Sequence, residues 1–203
     1  MRKSLKRIGV CILITACFWC GTILADREKL NEGLIRLHVV ANSDSVEDQT
    51  IKLQIRDAVT QSLQKELANM ADVEQAKAYL QENLPIIQRI ANETLEAVGF
   101  NGEAVVSLCR ETFGTRYYET FALPAGVYEA LRITIGEGEG KNWWCVVFPS
   151  LCVPATIEGF ADTAAGAGFS DRLSGVLTGD ETYEVRFLIL DALGQLENIL
   201  FEG

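Results

Sequence analysis

The sequence is short of the side chains that run most metal and acid–base chemistry. It holds a single histidine, His38, in 203 residues. One histidine excludes a His-rich zinc site and the two-histidine helix pair of a metalloprotease. It also limits any Cys–His nucleophilic couple to His38 with Cys109, Cys145 or Cys152. No catalytic signature surrounds those cysteines, and a lone strand histidine is more often structural. Basic residues are scarce too, 18 against 28 acidic. Four of the 18 (Arg2, Lys3, Lys6 and Arg7) lie in the first 25 positions, which hold no acid. The other 14 against 28 leave the body at −14. So acidic a body argues against nucleic acid, and against adsorption to anionic lipid through a basic patch. No internal repeat is present. With 48% hydrophobic and 23% charged residues, the composition is that of an ordinary globular chain.

A phosphate loop is missing as well, although Gly136-Glu-Gly-Glu-Gly-Lys-Asn142 resembles one. The glycine-to-lysine spacing is one residue short, Asn142 stands where Ser or Thr is needed, and a strand follows instead of a helix. Glu137 and Glu139 would repel phosphate, and two flexible acids make a poor cation site. No cofactor and no metal are implied.

What is present begins with targeting. Basic RKSLKR precedes an apolar run from Ile8 to Ala25. That pattern is an export n-region and h-region, with the basic end held in the cytoplasm. Ala25 suits a cleavage point, and the run also reaches the lower limit for an uncleaved anchor. A lipobox at Ile14–Cys17 fits less well, because the apolar run continues through Phe18 and Trp19. Residues 1–25 are therefore a signal peptide or N-terminal membrane anchor, and membrane contact is expected only there. Of six cysteines, Cys109, Cys145 and Cys152 belong to the exported body, so at most one internal disulfide can form. Cys145 and Cys152 are the closest pair, and bridging them would stabilise by roughly 2.5 kcal/mol in the entropic model. Three buried thiols are the alternative.

Residues 26–33 read as a polar stem. Leu34–Val40 alternates, with Ile35, Leu37 and Val39 on one face and Arg36 and His38 on the other, a half-buried strand. Ser45 with Asp48, and Asp72 with Gln75, have the spacing of N-terminal caps. Each precedes an apolar stripe of helical period, the second interrupted by Pro85. Ala104–Phe113 is a weaker strand with mixed faces, followed by a loop over 114–126. Tyr128–Cys152 reads as two strands joined by the Gly-rich turn, a β-hairpin centred on Gly138-Glu139. An even loop pairs Ile133 with Trp144, which puts Trp144 in the core and Trp143 on the polar face beside Arg132. An odd loop exchanges the two tryptophans. Residues 153–178 are a Gly/Ala-rich linker, and 179–203 a C-terminal amphipathic helix. The expected fold is α+β: a small, mainly antiparallel sheet with helices on one face, in the order βααβββ, then linker and helix. The domain proper covers 26–152.

Several stretches together resemble the stage II sporulation protein R family. They are LIRLHVVANSDS at 34–45 with Glu47-Asp48-Gln49; Lys52-Leu53 with Arg56-Asp57-Ala58-Val59; Pro124-Ala125-Gly126 with Tyr128–Arg132; Ile135–Gly138 with Gly140–Cys145; and Phe148-Pro149 with Leu151-Cys152. The family's usual FPPLC stands here as FPSLC. The resemblance implies an exported, non-enzymatic signal of endospore formation, acting in the space between forespore and mother-cell membranes. Its partner would be a membrane-embedded aspartic protease, the sigma-E factor processing peptidase, which cuts the sigma-E precursor. The residues singled out for partner contact are Trp143, Arg132, Lys141, Asn142, Arg36 and His38, an exposed tryptophan beside an arginine being a common hot spot. The alternative is an exported Cys/His-dependent hydrolase acting at the cell envelope. Thiol titration of the denatured body tests the bridge directly: one free thiol is expected if Cys145 and Cys152 are joined, and three if they are not.

Overall fold

The computed structural model describes residues 2–149, 163–166, 168–179 and 184–202. Its elements are α1 (Arg2–Gly33), β1 (Ile35–Val40), α2 (Val46–Leu67), α3 (Val73–Ala97), β2 (Ala104–Phe113), β3 (Arg116–Tyr117), β4 (Ala122–Leu123), β5 (Gly126–Ile135), β6 (Asn142–Phe148), α4 (Asp171–Thr178) and α5 (Glu184–Glu202). The α+β class and the C-terminal helix are as expected. Both caps form: Ser45 Oγ accepts from Asp48 N at 3.1 Å, and Asp72 Oδ1 from Gln75 N at 2.9 Å. Helix α3 runs through Pro85 without a break.

The sheet departs from expectation. Its strand order is β2-β5-β1-β6, so β1 lies between the two strands read as a hairpin. β1 pairs parallel with β5 and antiparallel with β6, which makes the sheet mixed. Val39 stands opposite Ile133 on one side and Trp143 on the other, and His38 stands between Arg132 and Trp144. Paired residues share a face. The tryptophans are thus exchanged relative to the even register: Trp143 lies with Leu131 and Ile133, and Trp144 with Arg132. Hairpin register rules do not hold here, because the strands are not neighbours.

Helices also cover both faces, not one. On the first face, α2 and α3 pack on Leu37, Val39, Leu131, Ile133 and Ile135 through Ile55, Val59, Leu80 and Ile87. On the second, Leu30 of α1, Leu173 and Leu177 of α4 and Leu190 of α5 pack with Phe113, Tyr128 and Val146. Two expected boundaries move accordingly. The "stem" at 26–33 is the last two turns of α1, with Leu30 buried. The end of the "linker" is α4, capped by Ser170 and closed by Gly179 in the left-handed region at φ 76°. Positions 153–162 lie outside the described residues. The expected loop at 114–126 contains the short β3–β4 ribbon.

α1 and α5 are tied by charge. Asp26, nearly fully buried, bonds Arg186 and, at 2.7 Å, Arg172. Glu197 accepts from Arg27 at 2.5 Å and from Asn31 at 3.1 Å. Gly194 lets α5 close on the sheet, since a Cβ there would fall 1.6 Å from the Ala125 carbonyl oxygen.

The Gly-Glu turn crosses the end of β1 and clamps the loop that follows it. Glu139 N donates to Asn42 O at 3.1 Å, Gly140 N to Ala41 O at 2.9 Å, and Lys141 N to Asp44 Oδ1 at 2.7 Å. Asn42 and Ser43 donate to Asp48, which holds its carboxyl below the usual carboxylate range. Lys52 is buried beneath and donates to Lys141 O at 3.0 Å; burial lowers its pKa. At Gly140 the turn presses on backbone: a Cβ would lie 2.3 Å from Ser43 O. Gly140→Ala is therefore expected to destabilise by about 1–3 kcal/mol, the cost of overpacking against a backbone that cannot retreat. Urea unfolding of the two chains measures this, and an unchanged midpoint would show that the loop yields freely.

Candidate functional site

The second face of the sheet carries most of the polar chemistry. Arg36 projects from β1 into it and has no exposed surface. Its Nε donates to Cys145 O at 3.1 Å and one Nη to Tyr118 Oη at 2.9 Å. The guanidinium lies 4.3 Å from the Phe113 ring centre and 5.1 Å from that of Tyr128. Electron-rich ring faces attract a cation most strongly where water is absent. Tyr128 in turn donates to Pro124 O at 2.8 Å, and burial pushes its phenol pKa up. No carboxylate pairs with Arg36 among the described residues.

One row along, His38 is 4% exposed. Its Nδ1 faces Glu111 Oε1 at 2.9 Å, and its ring stacks on Trp144 with centres 3.8 Å apart. The other Glu111 oxygen accepts from Arg132 at 3.1 Å. Arg116 lies over Trp144 at 4.8 Å. A carboxylate bridging His38 and Arg132 fixes both side chains against the sheet.

The six residues expected to meet a partner therefore fall into three places. Arg36 and His38 are interior, not exposed as the alternation of β1 implied. The alternation is real, but the face it assigned to water is roofed by α1 and α5. Arg132 is part-exposed at the edge of the same network. Trp143 is on the opposite face, packed on the first core, with the Arg56 guanidinium 4.3 Å from its ring centre. Lys141 and Asn142 are exposed at the clamp. Glu111, Phe113, Arg116 and Tyr118 complete the cluster and went unselected. Only the mixed faces of β2 hinted at them, and nothing in the spacing linked 111–118 to 36–38.

The cysteines divide in the same way. Cys109 is free, and burial, with Glu111 nearby, raises its pKa. A thiol held protonated is a poor nucleophile. Cys145 is in a disulfide and lies on the face of Leu37, away from His38. Cys152 lies outside the described residues. His38 makes its hydrogen bond with Glu111, not with a thiol. A cleft of about 590 Å³ opens between the β3–β4 ribbon and the facing ends of α4 and α5, and none of the six expected residues lines it.

The fold and site define an α+β domain built around a buried cation–aromatic cluster and joined to a helix long and apolar enough to cross a membrane. Residues 31–158 match the model of the stage II sporulation protein R family, and the chain belongs to that family. It is 44% identical over 118 residues to the stage II sporulation protein R of Bacillus subtilis (strain 168), a match covering 58% of this chain. The match spans 53% of the length of that relative. No solved structure matches the chain.

The cluster makes Arg36 a structural residue with a specific energetic signature. Arg36→Ala is expected to cost about 2–5 kcal/mol, since it leaves a large cavity in a close-packed cluster. Arg36→Met should cost far less, because a similar apolar volume removes the buried charge. Thermal or urea unfolding of both variants checks this; equal losses would contradict it.

Proposed function

We propose that this chain is an exported signal of sporulation that activates a membrane-embedded aspartic protease, the sigma-E factor processing peptidase, by binding it. Family membership supports the sporulation role. The apolar helix α1 and the disulfide at Cys145 fit a protein that works outside the cytoplasm. The observation that carries binding over catalysis is the state of His38: the only imidazole is buried, bonded to Glu111 and stacked under Trp144. Activation by binding means preferring the active form of the protease, so its effect is limited by differential affinity.

The surface proposed for contact is the exposed end of the sheet carrying Lys141 and Asn142, with Arg132 at its margin. Trp143, Arg36 and His38 support that end from within. The test is reconstitution of the full chain with the protease and its substrate precursor. Precursor cleavage should start on mixing, with no covalent change in the protease. Lys141→Glu should reduce cleavage at least tenfold with an unchanged melting temperature, and unchanged cleavage would remove this edge from the contact. His38→Gln that folds normally should still activate. Its failure would favour the Cys/His hydrolase reading.

A further inference from the structure

Helix α5 is apolar on two opposite sides. Its inner side, through Leu190 and Gly194, packs on the sheet. Its outer side carries Val185, Leu188, Ala192, Leu196 and Ile199, all exposed, with Leu200 flanking them. The four larger side chains of that row are 54–69% exposed and Leu200 is 75% exposed. The row contains no charge. A contiguous exposed apolar row of this length is normally covered by a partner.

The spacing indicates what covers it. Leu188 and Leu196 stand four residues either side of Ala192, and Val185 and Ile199 stand seven either side. The row therefore reads nearly the same in both directions about its one small residue. We propose that this face is a self-association surface, on which a second copy of the chain packs its own α5 antiparallel about a two-fold axis at Ala192. Leu188 then meets Leu196 of the other copy, Val185 meets Ile199, and the two alanines allow close approach. A two-fold contact of this kind is self-complementary, as the row is. Its size is also sufficient. Five large side chains offering about 100 Å² each give a total near 1,000 Å² from two copies, where specific interfaces begin. A lipid surface fits less well: the charges flanking the row are Glu184, Asp191 and Glu202, and the one cation of the helix, Arg186, is buried against Asp26.

The test uses the full chain in detergent and in lipid nanodiscs. Sedimentation at micromolar concentration should show a dimer, and Leu188→Glu with Leu196→Glu should convert it to a monomer with unchanged helical content. In a background with Cys11, Cys17, Cys20 and Cys109 replaced by Ser, Ala192→Cys should cross-link copy to copy on mild oxidation. Val46→Cys, which is exposed at the start of α2 on the opposite face of the sheet, should not. A monomeric full chain overturns the proposal, leaving the face to lipid or another protein. So does a dimer that survives the double variant, or equal cross-linking at positions 46 and 192.

Discussion

Everything in this domain follows from where β1 sits. A strand of six residues occupies the centre of the sheet, is flanked by β5 and β6, and is roofed by helices on both faces. None of its side chains reaches water. For Leu37 and Val39 that is ordinary core packing. For Arg36 it means a guanidinium held by a carbonyl, a phenol and two ring faces, with no carboxylate pairing it among the described residues. For His38 it means a fixed bond to Glu111 and a ring stacked under Trp144. Burying a cation costs several kcal/mol unless its donors are used and its field is answered. The aromatic residues of the second face are placed to answer it. Phe113, Tyr118 and Tyr128 come from two strands and a loop and converge on Arg36, and Trp144 packs beside them on Phe113 and His38.

The same placement explains which features were legible in the sequence. Local signals held: Ser45 and Asp72 cap α2 and α3, the apolar stripes of both helices face the first core, and β1 alternates as its residues suggested. These depend on neighbours within a few positions. What failed depends on strand order. Two strands joined by a short Gly-rich turn are normally adjacent, and a register built on that premise put Trp144 in the core and Trp143 beside Arg132. Inserting β1 between them reverses both. Alternation alone likewise cannot tell a solvent face from a second interior face, so Arg36 and His38 read as exposed. Calling 153–178 a linker undervalued Ser170 and Gly179, which cap a short helix whose Leu173, Val176 and Leu177 are buried.

The letters that carry the family resemblance turn out to be largely architectural. LIRLHVVANSDS and IGEGEGKNWWC lie about a hundred positions apart, yet they form one unit. Ala41, Asn42 and Asp44 accept hydrogen bonds from the turn at 137–141, Asp48 holds Asn42 and Ser43, and Lys52 closes the underside. Gly140 is small because Ser43 is behind it. Arg36, His38 and the two tryptophans then fill the faces below the clamp. A motif this tightly absorbed by packing identifies the fold well; Lys141 and Asn142, proposed above for partner contact, are among the few of its side chains left exposed.

Helix α1 runs unbroken from the apolar segment to Gly33, and the contacts at its base bear on what cleavage after Ala25 would do. Cutting after Ala25 removes Ile23, which is 3% exposed, and the hydrogen bond from Arg186 to Thr22. The loss is about one buried aliphatic side chain and one hydrogen bond, roughly 3 kcal/mol together. Asp26, Arg27, Leu30 and Asn31 remain, and with them the pairs to Arg172, Arg186 and Glu197 that seat α5. The residues that matter to the domain thus lie on the C-terminal side of the cut. Cleavage after Ala25 would take Ile23 from the second core and one bond from α5, and leave the charged pairs that seat α5 in place.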